Sequence, residues 1–105
     1  MEQPNNNYIE QLSGDSIDFR EKMIAILKRE LPEEITTFQN QIQNSNFAEA
    51  AQSVHKLKHK ISILGLEKSY YIAEEFEKQL KKNNTALQSD FKAILEKMQQ
   101  FVQEL

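Results

Sequence analysis

Two histidines, His55 and His59, stand four residues apart in the lysine-rich run His55-Lys56-Leu57-Lys58-His59-Lys60, within a chain of formal net charge −3. Neutral imidazole is a good nucleophile near neutral pH, because its reference pKa is about 6.5. Ammonium groups close by disfavour the protonated ring and keep its lone pair available. Lys58 follows His55 by three residues, one helical turn, within reach of a phosphoryl group carried on the ring. The spacing therefore describes a phosphate-accepting imidazole with a positive flank, although a plain solvated helix face has the same composition. The His55–His59 spacing also suits two metal ligands on a helix. Against a metal, Lys56, Lys58 and Lys60 are poor company for a cation, and the sequence offers no evident third ligand.

The element that must position these residues is an amphipathic helix running from Phe47 to Leu66. At roughly 100° per residue, Phe47, Ala50, Ala51, Val54, Leu57, Ile61 and Leu64 fall in one stripe that has to face a core. His55 lies about 130° from the centre of that stripe and His59 further round. Ser62 shares the histidine side, Ile63 lies on the exposed side as an apolar contact for a docking helix, and Lys58 sits between histidines and core. Gly65 ends the pattern as a helix cap in the left-handed conformation.

Around this helix the chain reads as helical throughout. It has 105 residues, 39% apolar and 28% charged, with two glycines, two prolines and no cysteine. That is one modest domain with little turn punctuation, no disulfide and no thiolate chemistry. Residues 1–7 are expected to be a flexible N-terminal tail, and residues 8–105 a single bundle domain. Tyr8, Ile9 and Leu12 suit a short helical turn that packs back on the domain. Asp15 or Ser16 can cap a helix carrying Phe19, Met23, Ile24, Ile26, Leu27 and Leu31. Pro32 predicts a break or kink at Leu31. Ile35, Phe38 and Ile42 continue to a turn at Ser45 and Asn46. Two further helices carry Leu66, Tyr70, Ile72, Ala73, Phe76 and Leu80, and then Phe91, Ile94, Leu95, Met98, Phe101, Val102 and Leu105. Five helices with short links predict an all-α fold, an antiparallel four-helix bundle with an additional N-terminal helix. The acidic balance argues against a nucleic-acid partner. No signal peptide and no apolar run of membrane-spanning length is present, so a cytoplasmic protein with no membrane association is expected. Met1 and a complete bundle suit a protein that stands alone, and a segment of a larger one would read the same way.

His55-x-Leu57-Lys58, with Gly65 ten residues after the histidine, resembles the signature of the histidine-containing phosphotransfer (HPt) domain, which relays phosphoryl groups in multistep two-component signalling. Asp15-x-x-Asp18-Phe19, Leu31-Pro32, Asn46-Phe47 and Phe76-Glu77 extend the resemblance over nearly the whole chain. It implies that His55 is the phosphoacceptor through Nε2, that Lys58 stabilises the phosphoryl oxygens, and that Glu77 hydrogen-bonds the other ring nitrogen. It implies response-regulator receiver domains and a hybrid histidine kinase as partners, a monomeric chain with no cofactor of its own, and Mg²⁺ held in the receiver. No Gly-rich phosphate loop is present, so a phosphocarrier without ATP-dependent activity is expected. The chain departs from the family where a glycine usually follows the lysine: His59 stands there, a bulkier neighbour for any partner, beside Ser62 and Ile63. Two other readings stay open: an HPt-fold adaptor that binds receivers without phosphotransfer, and a histidine-based metal-binding bundle.

Overall fold

The computed structural model describes residues 2–105; Met1, the first residue of the expected tail, lies outside the described residues. Five helices follow one another: α1 (Asn7–Ser13), α2 (Ile17–Gln43), α3 (Phe47–Ile63), α4 (Glu67–Leu80) and α5 (Gln88–Gln103), with no strand among the described residues. Short links make successive helices antiparallel neighbours. α3 packs most extensively against α4 and α2, α5 closes the ring against both, and α1 lies on α2. The fold is thus the expected all-α four-helix bundle with an additional N-terminal helix.

Pro32 does not break the helix. α2 runs through it for 27 residues, about 40 Å of helix, and sets the 45 Å length of the molecule. The reason is burial on one face: Leu27, Leu31, Ile35 and Phe38 are all buried, two on each side of the proline, and form one uninterrupted stripe. Pro32 itself is exposed, so the backbone carbonyl it deprives of a partner can turn to water. Packing of that stripe outweighs the local cost. The N-terminal turns of α2 contribute less to the core than their periodicity predicts, since Ile17, Phe19 and Ile26 are exposed. In α1 it is Ile9 that is fully buried, while Tyr8 and Leu12 stay largely outside.

Phe38, Phe76 and Phe91, from α2, α4 and α5, meet with ring centres 5.2–6.1 Å apart. These contacts fix the rotation of α4 about its axis, because Phe76 has no other place to bury its ring. Glu77, the next residue, is thereby carried about 100° round the helix, towards α3. On α3, Val54 and Leu57 are completely buried, which holds His55 and Lys58 on the side facing α4.

Both ends of α3 are set by six-residue turns of one kind. At its start Asn46 N–H donates to Gln41 O and Ser45 N–H to Ile42 O; at its end Leu66 N–H donates to Ile61 O and Gly65 N–H to Ser62 O. Each is a Schellman arrangement with a left-handed residue in the middle, Ser45 at φ 56° and Gly65 at φ 73°. Gly65 has a second reason to lack a side chain, since a Cβ there would stand 2.6 Å from the Asn5 amide.

That amide belongs to the segment read from sequence as a flexible tail. Residues 2–6 carry no helix, but they make specific contacts. Asn5 N–H donates to Leu64 O at 2.9 Å. The Glu2 carboxylate accepts from the Lys68 and Ser69 backbone N–H groups at 2.8 and 3.0 Å and from the Ser69 hydroxyl. Leu66, at the N-cap of α4, has no side-chain oxygen to offer, so the distant Glu2, 66 positions before Lys68, caps that helix. Burial pushes the Glu2 carboxyl up, but the two backbone bonds, the Ser69 hydroxyl and the Lys68 charge outweigh it and hold it below its ordinary value.

Candidate functional site

His55 projects from the middle of α3 with 58% of its side chain exposed, and Glu77 reaches it from α4 with only 13% exposed. His55 Nδ1 stands 3.3 Å from Glu77 Oε1. The same oxygen accepts from Lys58 Nζ at 3.0 Å, and Glu77 Oε2 faces Lys81 Nζ at 3.5 Å. One carboxylate therefore gathers three nitrogen groups. Burial pushes the Glu77 carboxyl up, but hydrogen bonds from Lys58 and His55 and their charges prevail and hold it below the usual carboxylate range.

This arrangement fixes the tautomer of the ring. An ionised carboxylate can only accept, so His55 Nδ1 must carry the hydrogen in their bond. The Nε2 lone pair is then left on the opposite edge of a mostly exposed imidazole. The geometry is that of a carboxylate-oriented histidine prepared to act through one nitrogen, as nucleophile or as ligand.

Lys58 lies between the histidines and the core. It is buried, with its ammonium on Glu77 and 5.5 Å from the centre of the Tyr70 ring, on the Nδ1 side of His55. An ammonium has three donors and Glu77 takes one or two, so Lys58 retains hydrogen-bonding capacity toward an anion on the ring. Lys60 leaves the basic cluster altogether: it turns to α2 and pairs with Glu30 at 3.0 Å and Glu34 at 3.1 Å. Burial lowers the Lys60 ammonium's pKa, but the two carboxylates more than compensate and raise it above its ordinary value.

His59 is exposed one turn beyond His55, with ring centres 5.6 Å apart and planes inclined at 59°. Ser62 is exposed on the same side. Ile63 is half-buried against the core, not on the open surface. A wheel drawn for α3 alone does not show what packs against its last turn, and there Ile63 leans on the core cluster. Gly65 takes the left-handed conformation expected of it. The structure thus brings His55, Lys58, His59 and Glu77 together, with Ser62 alongside.

Two participants escaped the sequence reading. Lys81 lies four residues after Glu77, an i,i+4 spacing that signals its pairing in principle. Tyr70 gave no such signal, because its contact with Lys58 depends on how α4 is rotated against α3.

Among the described residues no helix is long and apolar enough to cross a membrane, and no group of three or more His, Cys, Asp or Glu side chains is placed to hold a metal ion. A search of curated proteins and a search of solved structures each returned no match. A comparison with protein-family models matches the Hpt domain over residues 22–105, which includes His55, Lys58, Gly65 and Glu77. The chain belongs to the Hpt domain family.

Proposed function

We propose that His55 accepts a phosphoryl group from the aspartyl phosphate of a receiver domain and passes it to another response regulator. Family membership places the chain in phosphotransfer-type two-component signalling, among modules that carry phosphoryl groups and interact with receiver domains. The observation that carries the finer reading is the hydrogen bond from His55 Nδ1 to Glu77, which leaves Nε2 as the nucleophilic edge of the ring.

In the step proposed, the Nε2 lone pair attacks phosphorus in line. The P–O bond of the aspartyl phosphate breaks, its electron pair leaves with the receiver carboxylate, and an N–P bond forms. The Nδ1 proton stays on the ring, which becomes positive. Glu77, already ionised and in contact, stabilises that charge without having to move. Lys58 supplies an ammonium to the phosphoryl oxygens, and Lys81 remains on the second Glu77 oxygen while Lys58 is drawn away. Attack by the second receiver's aspartate reverses the step. Mg²⁺ belongs to the receiver in this scheme, and the work asked of this chain is placement and charge stabilisation.

Incubation with a phosphorylated receiver tests the proposal. Wild-type protein acquires acid-labile phosphate on His55, and His55→Gln acquires none while keeping the same helical circular dichroism. Label retained on another residue of the variant would overturn the assignment. Binding of the receiver without any labelling of wild type would instead identify an adaptor.

A further inference from the structure

We infer that His55 and His59 form a two-histidine chelate for a divalent ion of the zinc class, and that this ion competes with the phosphoryl group for His55 Nε2. Chelation stands on geometry alone; the competition rests on the phosphotransfer reading above.

Three observations support the site. The first is distance. A tetrahedral ion holding two imidazoles at about 2.0 Å sets their ring centres about 5.2 Å apart, and the two rings stand at 5.6 Å. Exposed side chains on successive turns close that gap by small χ rotations. The second is the support behind the ligand. Glu77 accepts from His55 Nδ1, the outer contact that orients ligating histidines and makes the free nitrogen a better donor. The third is charge. Three lysines nearby argue against a cation when the sequence is read alone, but Lys60 is turned away to α2. Glu30 and Glu34 hold Lys60, and Glu77 is shared by Lys58 and Lys81. Lys56 is exposed, where water and salt screen it.

With two protein ligands, water completes the coordination, so the ion is exchangeable and not structural. Imidazole donors select zinc, copper or nickel over magnesium or calcium. The Mg²⁺ a receiver needs would therefore leave this site untouched. His59 is the residue that creates the chelate, since the glycine that usually follows the lysine in this family offers no ligand.

Zinc titration of the purified full chain against a competing chromophoric chelator, followed by ¹⁵N chemical shifts of both histidines, tests the site. Wild type binds one zinc with both Nε2 resonances shifting together. His59→Ala, a change on an exposed face, weakens binding by at least about ten-fold, and Glu77→Gln by about ten-fold. No stoichiometric binding by wild type, or binding unchanged in His59→Ala, overturns the chelate. In the second arm, zinc suppresses labelling of wild-type His55 by a phosphorylated receiver and leaves labelling of His59→Ala unaffected. Zinc that binds wild type and does not slow its labelling overturns the competition. If no labelling occurs even without metal, the phosphotransfer reading fails while the chelate stands on its titration.

Discussion

Two lysines two residues apart on α3 meet opposite fates. Lys60 faces α2, where one ammonium is clasped by two carboxylates, Glu30 and Glu34. Lys58 faces α4, where one carboxylate, Glu77, is shared among Lys58, Lys81 and His55. The α2 side has more negative than positive charge and joins two helices. The α4 side has the reverse excess and includes an exposed imidazole with a free nitrogen, so an incoming phosphoryl group finds uncommitted positive charge there. Residue type and burial do not separate a clamp from a reactive site in this bundle; the ratio of cations to carboxylates does.

The largest effect that can break this comparison is on transfer. Lys58→Ala is expected to slow labelling of His55 by about 100-fold, the scale for losing one charged donor to the phosphoryl oxygens. Lys60→Met should leave the labelling rate unchanged and lower stability by about 1 kcal/mol, because two carboxylates lose their partner. Measuring single-turnover labelling and urea denaturation on both variants checks the pair; a transfer defect in Lys60→Met would dissolve the distinction.

Glu77→Gln is expected to slow transfer by about ten-fold and to shift the ¹⁵N resonances of His55 toward a mixture of tautomers. It also carries a pH signature. The Glu77 carboxyl lies below its ordinary 4.5 in the fold. Its ionised form therefore contributes stability that is fully present above pH 4.5 and is lost as pH falls through the lowered folded value. The stability gap between wild type and Glu77→Gln should accordingly be constant at neutral pH and begin to close as pH falls below 4.5.

The smallest effects concern the turns at the two ends of α3. Ser45→Gly relieves a non-glycine residue of its left-handed conformation and should stabilise the protein by up to about 1 kcal/mol. Gly65→Ala should destabilise it by about 1–2 kcal/mol, from backbone strain together with displacement of the Asn5 amide. Thermal unfolding of both variants reads the asymmetry, and equal and opposite shifts would show that Asn5 adds nothing.

Much of this was legible in the chain itself. The apolar spacing of Ala50, Ala51, Val54, Leu57, Ile61 and Leu64 gave the buried face of α3, because helical periodicity is a property of one segment. The same wheel put His55 outside the core, and Gly65 marked a left-handed turn, since φ preferences are local. As a sign of a break, Pro32 misled for the converse reason: its helix-breaking tendency is local, and the stripe from Leu27 to Phe38 overrode it only by packing against the rest of the bundle.

What tertiary structure alone decided was the partnering of charges. His55 meets Glu77 across 22 positions and Lys60 meets Glu34 across 26, and Glu2 caps α4 across 66. Such pairs depend on the rotation and axial shift of one helix against another, which the burial of Phe76, Leu57 and their neighbours sets. No periodicity within a single helix records that register. The sequence supplied a histidine beside lysines; the packing of α4 on α3 turned it into an imidazole of fixed tautomer that shares one carboxylate with Lys58, with Nε2 left free.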